Sequence, residues 1–589
     1  MAANFAARGN VLKNRKTTSG SLLQYWRIYF LVFFVFLAAG VIFIRLYQLQ
    51  VKAHEMYLAV AENQYKVSRE LTPQRGEIYL EDERELYPLA VNQELQMAYA
   101  VPKEINDREK TASAIASILS LEKGEIDAKL SDAGDMFEVL KHKLSEEEVS
   151  KIKEENISGI YLMPESFRYY PGGELAAQVV GFVGSSGEEY RGQYGLEAFW
   201  EKELRGEKGN LRQEKDTRGG WISIADREIQ PARDGADLVL TINRTVQYEA
   251  EKIIKETVEK HGADNGTIIA MDPKTGKILV IANYPSFNPN EYSKNEDLSL
   301  FMNPAVSTPY ECGSVFKAVT AAAGIDDGKI TPDTEYVDTG SVKEAGYVIK
   351  NSEEKAYGRQ TMTQVLDNSI NTGAIFIEKQ IGNKKFADYV KAFGFGEKTG
   401  IELPGESPGS VRNLEETKRT IHFFTASFGQ GTTVTPLQLA NAYAAIANGG
   451  RLMKPQIVEK IIYPDGQAEE VQPQEIRRVI SQDAAKKVSS MLLSVVLNGH
   501  GKRAGVPGYL VGGKTGTAQI AKAEEKGYEE GITVGSFAGY APIDDPQFVV
   551  LVKVYNPKDV QWAESTAAPA FAKVMKFLLE YYGVKPTEE

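Results

Sequence analysis

Gly313-Ser314-Val315-Phe316-Lys317-Ala318-Val319-Thr320-Ala321-Ala322-Ala323-Gly324 places a serine and a lysine three positions apart at the front of an apolar, alanine-rich run. Good helix formers between two glycines predict a buried helix opened by Ser314 and ended near Gly324. On such a helix residues three apart share a face, so hydroxyl and amine can meet. A serine is a weak nucleophile until a neighbour takes its proton, and a lysine can do so only while uncharged. Bringing a lysine from about 10.4 to about 7 costs about 4 kcal/mol, which burial beside a second cation supplies. Backbone N–H groups at the helix start would meet the negative charge that develops in acyl transfer. The string alone also occurs by chance on solvated helices, so its weight depends on what accompanies it.

Two further clusters follow in order. In Ser369-Ile370-Asn371 the polar residues alternate with an isoleucine, so a short loop can turn both into one cleft while Ile370 packs inward. Taken alone it also reads as a polar cap before Thr372-Gly373-Ala374. Lys514-Thr515-Gly516-Thr517 follows Tyr509-Leu510-Val511-Gly512-Gly513 and predicts an edge strand whose glycines let a substrate backbone approach. An extended peptide could pair along it, and Lys514 is the obvious second cation for Lys317. Alone, it is equally a glycine-rich turn with a solvated lysine. The ordered trio is the pattern of class A β-lactamases and penicillin-binding proteins, and it points to attack on a peptide-like carbonyl.

Other segments extend the match: Met271-Asp272-Pro273-Lys274-Thr275-Gly276, Ala282-Asn283-Tyr284-Pro285-Ser286-Phe287-Asn288-Pro289, Asn303-Pro304-Ala305, Leu403-Pro404-Gly405-Glu406, Ser427-Phe428-Gly429-Gln430-Gly431 and Thr435-Pro436-Leu437-Gln438. Over nearly its whole length the chain resembles a class B penicillin-binding protein, a monofunctional peptidoglycan D,D-transpeptidase. Asn371 and the segments 401–406 and 427–431 resemble the septal cell-division branch more than the elongation branch. Two departures stand out. Cys312 occupies a position where the family usually has proline, which leaves the turn into the helix less preset in the unfolded chain. The pedestal pattern R-G-x-I-x-D-R is only partly kept in Arg75-Gly76-Glu77-Ile78-Tyr79-Leu80-Glu81-Asp82.

The resemblance implies that a stem peptide ending in D-Ala-D-Ala acylates Ser314, that Lys317 activates it, and that Ser369 and Lys514 relay the proton to the leaving amine. It implies that Asn371 holds the substrate amide, that Thr515 and Thr517 bind the terminal carboxylate beside Gly516, and that the N–H groups of Ser314 and Thr517 form the oxyanion hole. Stem peptides are then the substrates, β-lactams the inhibitors, and a cell-wall glycosyltransferase and division proteins the partners. No cofactor is implied.

Composition sets outer bounds. At 589 residues with 42% hydrophobic content the chain can bury more than one core, and a net charge of −12 opposes a nucleic-acid partner. Cys312 is the single cysteine, excluding an intrachain disulfide, and it reads as a small buried apolar residue rather than a reactive thiol. His54, His142, His261, His422 and His500 are scattered, suggesting neither a metal site nor a histidine base. Arg8, Lys13, Arg15, Lys16 and Arg27 precede any acidic residue and lead into an apolar run from Ile28 to Ile44. As a helix that run rises about 25 Å, near the lower limit for a bilayer core, and Leu46 and Leu49 can extend it. The basic flank places the N-terminus in the cytoplasm and the bulk outside the cell membrane. Arg45 follows with no small-x-small cleavage site, which favours an uncleaved single-pass anchor over a signal peptide.

The expected fold is multidomain: a cytoplasmic tail over 1–25, a transmembrane helix over 26–50, an α+β pedestal (dimerisation) domain over 51–235, and over 236–589 an α/β serine transpeptidase domain, β-lactamase-like, with an antiparallel sheet flanked by helices. In the pedestal, charged helical stretches over 107–153 interleave acids and bases and read as solvated faces, while Arg168-Tyr169-Tyr170-Pro171, Gly181 and Gly195-Leu196-Glu197 resemble the family's extracytoplasmic pedestal, though each alone also reads as turn and packing residues. A glycine-containing stretch through Gly219-Gly220 to Gly235 suggests a hinge. Thr267–Met271 and Ile278–Ile281 form a hairpin about a Pro/Gly turn, Phe548–Val554 is a buried strand, and Ala570–Tyr582 is a helix on the sheet.

Hydrolysis is the nearest competing chemistry, as in a D,D-carboxypeptidase or β-lactamase, because acylation is shared and only the second nucleophile differs. Glu406 invites a role as base for water, yet its turn-rich setting between Pro404 and Pro408 argues against it. A non-catalytic membrane β-lactam sensor or division scaffold is the alternative of another class. About 25 residues before the membrane run are too few for a folded cytoplasmic effector.

Overall fold

The computed structural model describes residues 26–53, 66–82, 85–186, 189–214, 228–344, 346–521 and 527–587. The tail with Arg8, Lys13, Arg15 and Lys16, and Gly219-Gly220 of the expected hinge, lie outside them. Two compact units emerge, Met1–Thr72 with Lys208–Ala232, and Pro73–Glu207 with Arg233–Glu589.

In the first unit Trp26–Tyr47 is a 22-residue helix with no buried side chain. It rises about 33 Å, enough to cross a hydrocarbon core of about 30 Å. The same unit holds an antiparallel sheet of Lys66–Leu71, Gly209–Glu214 and Glu228–Gln230.

In the second unit the pedestal and catalytic regions share a sheet. Its path runs Ala468–Glu470, Val458–Ile462, Asp237–Asn243, Ile78–Asp82, Glu85–Ala100, Glu138–Leu144, with Ile160–Tyr169 also paired to the long Glu85–Ala100 strand. Asp237–Asn243 runs parallel to Ile78–Asp82, burying Leu238, Leu240, Ile78 and Leu80. Gly235 is therefore no free hinge: a Cβ there would sit 1.9 Å from Leu204 O and 2.7 Å from Gly76 N. The partly kept pedestal pattern has a clear purpose. Arg75 and Arg168 both reach the fully buried Glu197, through Nη2 to Oε2 and Nε to Oε1, each at 2.6 Å. Burial alone would raise the Glu197 carboxyl; the Arg168 and Arg75 guanidiniums reverse this and hold it below the ordinary carboxylate range. Asp82 accepts from Asn243, Thr245 and Tyr581, joining the pedestal strand to the start of one catalytic-domain helix and the end of another.

The catalytic-domain sheet has five antiparallel strands, β1 (Asn265–Met271), β2 (Ile278–Tyr284), β3 (Gly512–Ala521), β4 (Tyr528–Ala541) and β5 (Phe548–Tyr555), in the order β2-β1-β5-β4-β3. The expected hairpin and central strand are both present. Side chains alternate between faces, and both faces are covered. Ile268, Ala270, Val550 and Val552 pack with α1 (Arg244–His261) and α6 (Ala567–Tyr581). Ile269, Met271, Val549 and Leu551 pack in the cluster that includes α2 (Lys317–Asp326), α4 (Pro436–Ala447) and α5 (Gln482–Leu497). Double coverage explains why these strands read as near-continuous apolar runs. α3 (Asn371–Ile381) completes the helices around the site. The charged 108–155 stretch is three helices around the strand Glu138–Leu144, with their apolar residues in a separate pedestal core.

Candidate active site

Ser314 lies in a 3-10 turn, Gly313–Phe316, and the α-helix begins only at Lys317 and continues past Gly324 to Asp326. Gly324 does not stop the helix: it lets α3 approach, since a Cβ there would be 2.6 Å from Ile377. The turn is fastened on every side. Gly313, at φ +62°, donates its N–H to Gly429 O at 3.0 Å. Tyr443 of α4, fully buried, donates to Val315 O at 2.8 Å. Tyr310 pairs through both backbone groups with Val434 at 2.9 Å, and Glu311 accepts from Gly431 N–H and Tyr528 OH at 3.0 and 3.1 Å. These contacts account for the Ser427–Gly431 segment.

The edge strand β3 crosses directly over this turn. A Cβ on Gly516 would lie 2.2 Å from Val315 Cγ2 and 2.6 Å from Cys312 O. Gly516 must lack a side chain because β3 packs there on the turn that carries Ser314, a reason the expectation of substrate approach did not include. Thr517 Oγ1 accepts from Ala563 N–H at 3.1 Å. Cys312 is 1% exposed and burial pushes its thiol well up, so it is the inert apolar residue expected.

Ser369 joins the two lysines. Its hydroxyl accepts from Lys514 Nζ at 3.1 Å and Lys317 Nζ at 3.3 Å. Lys317 Nζ also donates to Ser369 O, and to Asn371 Oδ1 at 2.8 Å. Lys514 Nζ further reaches Thr515 O at 3.0 Å and Thr515 Oγ1 at 3.3 Å. Ile370 is fully buried, as the alternation predicts, and Ser369 holds a left-handed backbone, φ +53°, that non-glycine residues take at a cost of about 1 kcal/mol or more. Lys317, Ser369, Asn371, Lys514 and Thr515 thus form one network. Ser314 is half-buried, and no hydrogen bond joins its hydroxyl to Lys317 among the described residues. It stands one turn before Lys317. Asn371 is also held from outside the motifs, donating Nδ2 to Lys350 O at 3.0 Å.

Burial is the main force on both amines. It drives Lys317 well below the ordinary lysine value, with the Lys514 charge adding to the effect. It brings Lys514 itself down to about 7, against Asp367 and Glu564, which pull upward. Lys514 is therefore less a fixed cation for Lys317 than a second buried amine, and the sequence offered no sign of Asp367 or Glu564. Glu406 is bound within its own loop, accepting from Thr399 N–H at 2.6 Å and Gly400 N–H at 3.1 Å. That engagement leaves it a turn organiser.

Comparison with known proteins matches residues 266–576 to the penicillin-binding protein transpeptidase domain and 70–240 to the penicillin-binding protein dimerisation domain. Stage V sporulation protein D of Bacillus subtilis (strain 168) is 33% identical over 566 residues, covering 95% of this chain and 86% of the relative. The peptidoglycan D,D-transpeptidase FtsI homolog of Mesostigma viride is 31% identical, covering 76% and 78%. Among solved structures, penicillin-binding protein 3 of Mycobacterium tuberculosis complexed with aztreonam superposes with a TM-score of 0.67 at 28% identity, covering 88% of this chain and 98% of that one.

Proposed function

Because the chain belongs to the class B penicillin-binding proteins of the septal type and is a peptidoglycan D,D-transpeptidase, we propose that Ser314 is the residue that carries the acyl group, with Lys317 as its base. The observation that supports this most is the Lys317–Ser369–Lys514 chain, in which one hydroxyl bridges two buried amines beside the serine's turn. Ser314 Oγ attacks the carbonyl of the penultimate D-alanine and passes its proton to neutral Lys317. The N–H groups of Ser314 and Thr517 hold the oxyanion. Collapse breaks the D-Ala–D-Ala amide: Lys514 through Ser369 protonates the leaving amine, and an ester on Ser314 remains. An amine of a neighbouring stem then attacks that ester, giving its proton to Lys514 through Ser369 while protonated Lys317 returns one to Ser314 Oγ, so the cross-link amide forms as the ester bond breaks and Ser314 regains its hydroxyl. Asn371, Thr515, Gly516 and Thr517 shape the donor site. β-Lactams mimic the donor and leave the same serine acylated.

The apolar helix Trp26–Tyr47 fits a single-pass membrane anchor. The basic residues before it support a cytoplasmic N-terminus, with the pedestal (51–235) and transpeptidase domain (236–589) outside. A wall glycosyltransferase and division proteins are the partners this placement suits. Intact-mass analysis after exposure to benzylpenicillin, followed by peptide mapping, tests the assignment. One stable adduct on Ser314 is expected, absent in Ser314→Ala; an adduct on another residue, or rapid loss of the adduct by hydrolysis, overturns it.

A further inference from the structure

Asn371 is gripped from two sides, and one of them is a segment with no role so far. Residues 335–361 form two short ribbons, Glu335–Asp338 with Gly358–Thr361 and Ser341–Glu344 with Tyr347–Lys350. The end of the second ribbon supplies Lys350 O, the acceptor for Asn371 Nδ2. Both ribbons converge on Asp338, which is 3% exposed. Its Oδ1 accepts from Thr372 Oγ1 at 2.6 Å and Gly340 N–H at 3.0 Å. Its Oδ2 accepts from Tyr357 N–H at 2.7 Å and Asn351 Nδ2 at 2.8 Å. Asn351, also buried, returns to the same helix turn by accepting Thr372 N–H at 3.1 Å.

A buried carboxylate is costly unless donors surround it, and here four donors do so, drawn from three separate stretches of chain. Burial would raise this carboxyl, but the bonds from Thr372, Gly340, Tyr357 and Asn351 hold it below the ordinary range. The carboxylate is charged at neutral pH and its place is determined by those bonds. Thr372, which it holds, is the residue after Asn371.

We propose that Asp338 is a positioning residue for transpeptidation: through Thr372 and Asn351 it fixes the first turn of α3 and the Lys350 carbonyl, and so aims the Asn371 amide at Lys317. This rests on the roles assigned above to Lys317 and Asn371. Displacing a group at a reacting centre by about 1 Å can cost on the order of 100-fold in rate. A purely structural role would lower stability and leave the proton chemistry of Lys317 untouched. A positioning role changes it, because Asn371 Oδ1 accepts from Lys317 and favours the charged amine. The other groups facing that amine, Ser369 and Lys514, do not touch Asp338.

The experiment compares Thr372→Val, Thr372→Ser and Asp338→Asn with the parent as full chains, following benzylpenicillin acylation by mass across pH and melting temperature alongside. Thr372→Val keeps the shape and removes the hydroxyl's bonds to Asp338 and Tyr336; Thr372→Ser keeps both. Expected are a 10- to 100-fold slower acylation in Thr372→Val and Asp338→Asn, an acid limb moved to lower pH, and near-parental behaviour in Thr372→Ser. Parental rates in folded Thr372→Val, or a rate loss with an unmoved pH profile, overturn the proposal. Should Asp338→Asn not fold, Thr372→Val alone decides. A parent that acylates away from Ser314 instead removes the active-site assignment, an outcome separable from the others.

Discussion

Lys514 is a fully buried amine near pH neutrality, and that has a cost measurable apart from catalysis. Its folded value, about 7, lies below the roughly 10.4 of an unfolded lysine. Between those values the unfolded chain binds a proton that the folded chain does not, so stability rises with pH across that window. The expected slope from this group is about 1.4 kcal/mol per pH unit. Lys514→Met should remove that slope and leave the protein at least as stable as the parent at pH 7, while acylation collapses. Urea titrations at pH 7, 8 and 9 read it; an unchanged slope would mean the amine is solvated. At this scale the grouping was legible in advance, because Lys317, Ser369, Asn371 and Lys514, which the structure brings together, sit in short strings of fixed spacing. Asp367, Glu564 and Asp338 were not, since a lone carboxylate in sequence carries no mark of what it will face.

Elements decide how closely those strings can approach. The 3-10 turn of Ser314 and the edge strand β3 touch backbone to backbone at Gly516, and the alanine methyl has nowhere to go. Gly516→Ala should slow acylation on the order of 100-fold and destabilise by about 1–3 kcal/mol. Gly124→Ala, in the pedestal helix Lys123–Lys129 where a Cβ meets nothing within 4 Å, is the contrasting case. It should stabilise by about 0.5–1 kcal/mol and leave acylation unchanged. Melting curves and mass-detected acylation of the two variants test the pair, and equal effects would show that the contact over Val315 is unimportant. Strand β3, the β1–β2 hairpin and α6 followed from apolar runs and turn residues. The 3-10 geometry at Ser314 did not, because a propensity for helix does not distinguish the first turn's hydrogen-bond pattern, which here is set by Gly429, Tyr443 and β3.

For the molecule as a whole, the shared sheet and the Asp82 bonds from Asn243, Thr245 and Tyr581 tie the pedestal to the catalytic region, and the Arg75–Glu197–Arg168 cluster holds the pedestal's own segments together. Glu197→Gln leaves two guanidiniums facing a neutral amide in a buried site and should cost about 3–5 kcal/mol. Because the folded carboxyl titrates below its unfolded value, its contribution is complete above about pH 4.3 and is lost as pH falls through the folded value. Urea unfolding at pH 7, with acid titration of the parent, measures both, and a loss under 1 kcal/mol would mean the cluster is solvated. The pedestal segment Tyr170–Gln178 adds further ties, with Gln178 donating to Pro285 O and Leu300 O and accepting through its carbonyl from the buried Asn303. By itself the sequence determined the family, its D,D-transpeptidase activity and an apolar helix that fits a membrane anchor, since motif strings, apolar run and turn residues are encoded in local spacing and composition. Only the tertiary structure decided which distant groups bury those lysines, why Gly516 must lack a side chain, and that Gly235 is clamped rather than hinged. Those outcomes depend on which surfaces meet across hundreds of residues, and local spacing holds no record of that.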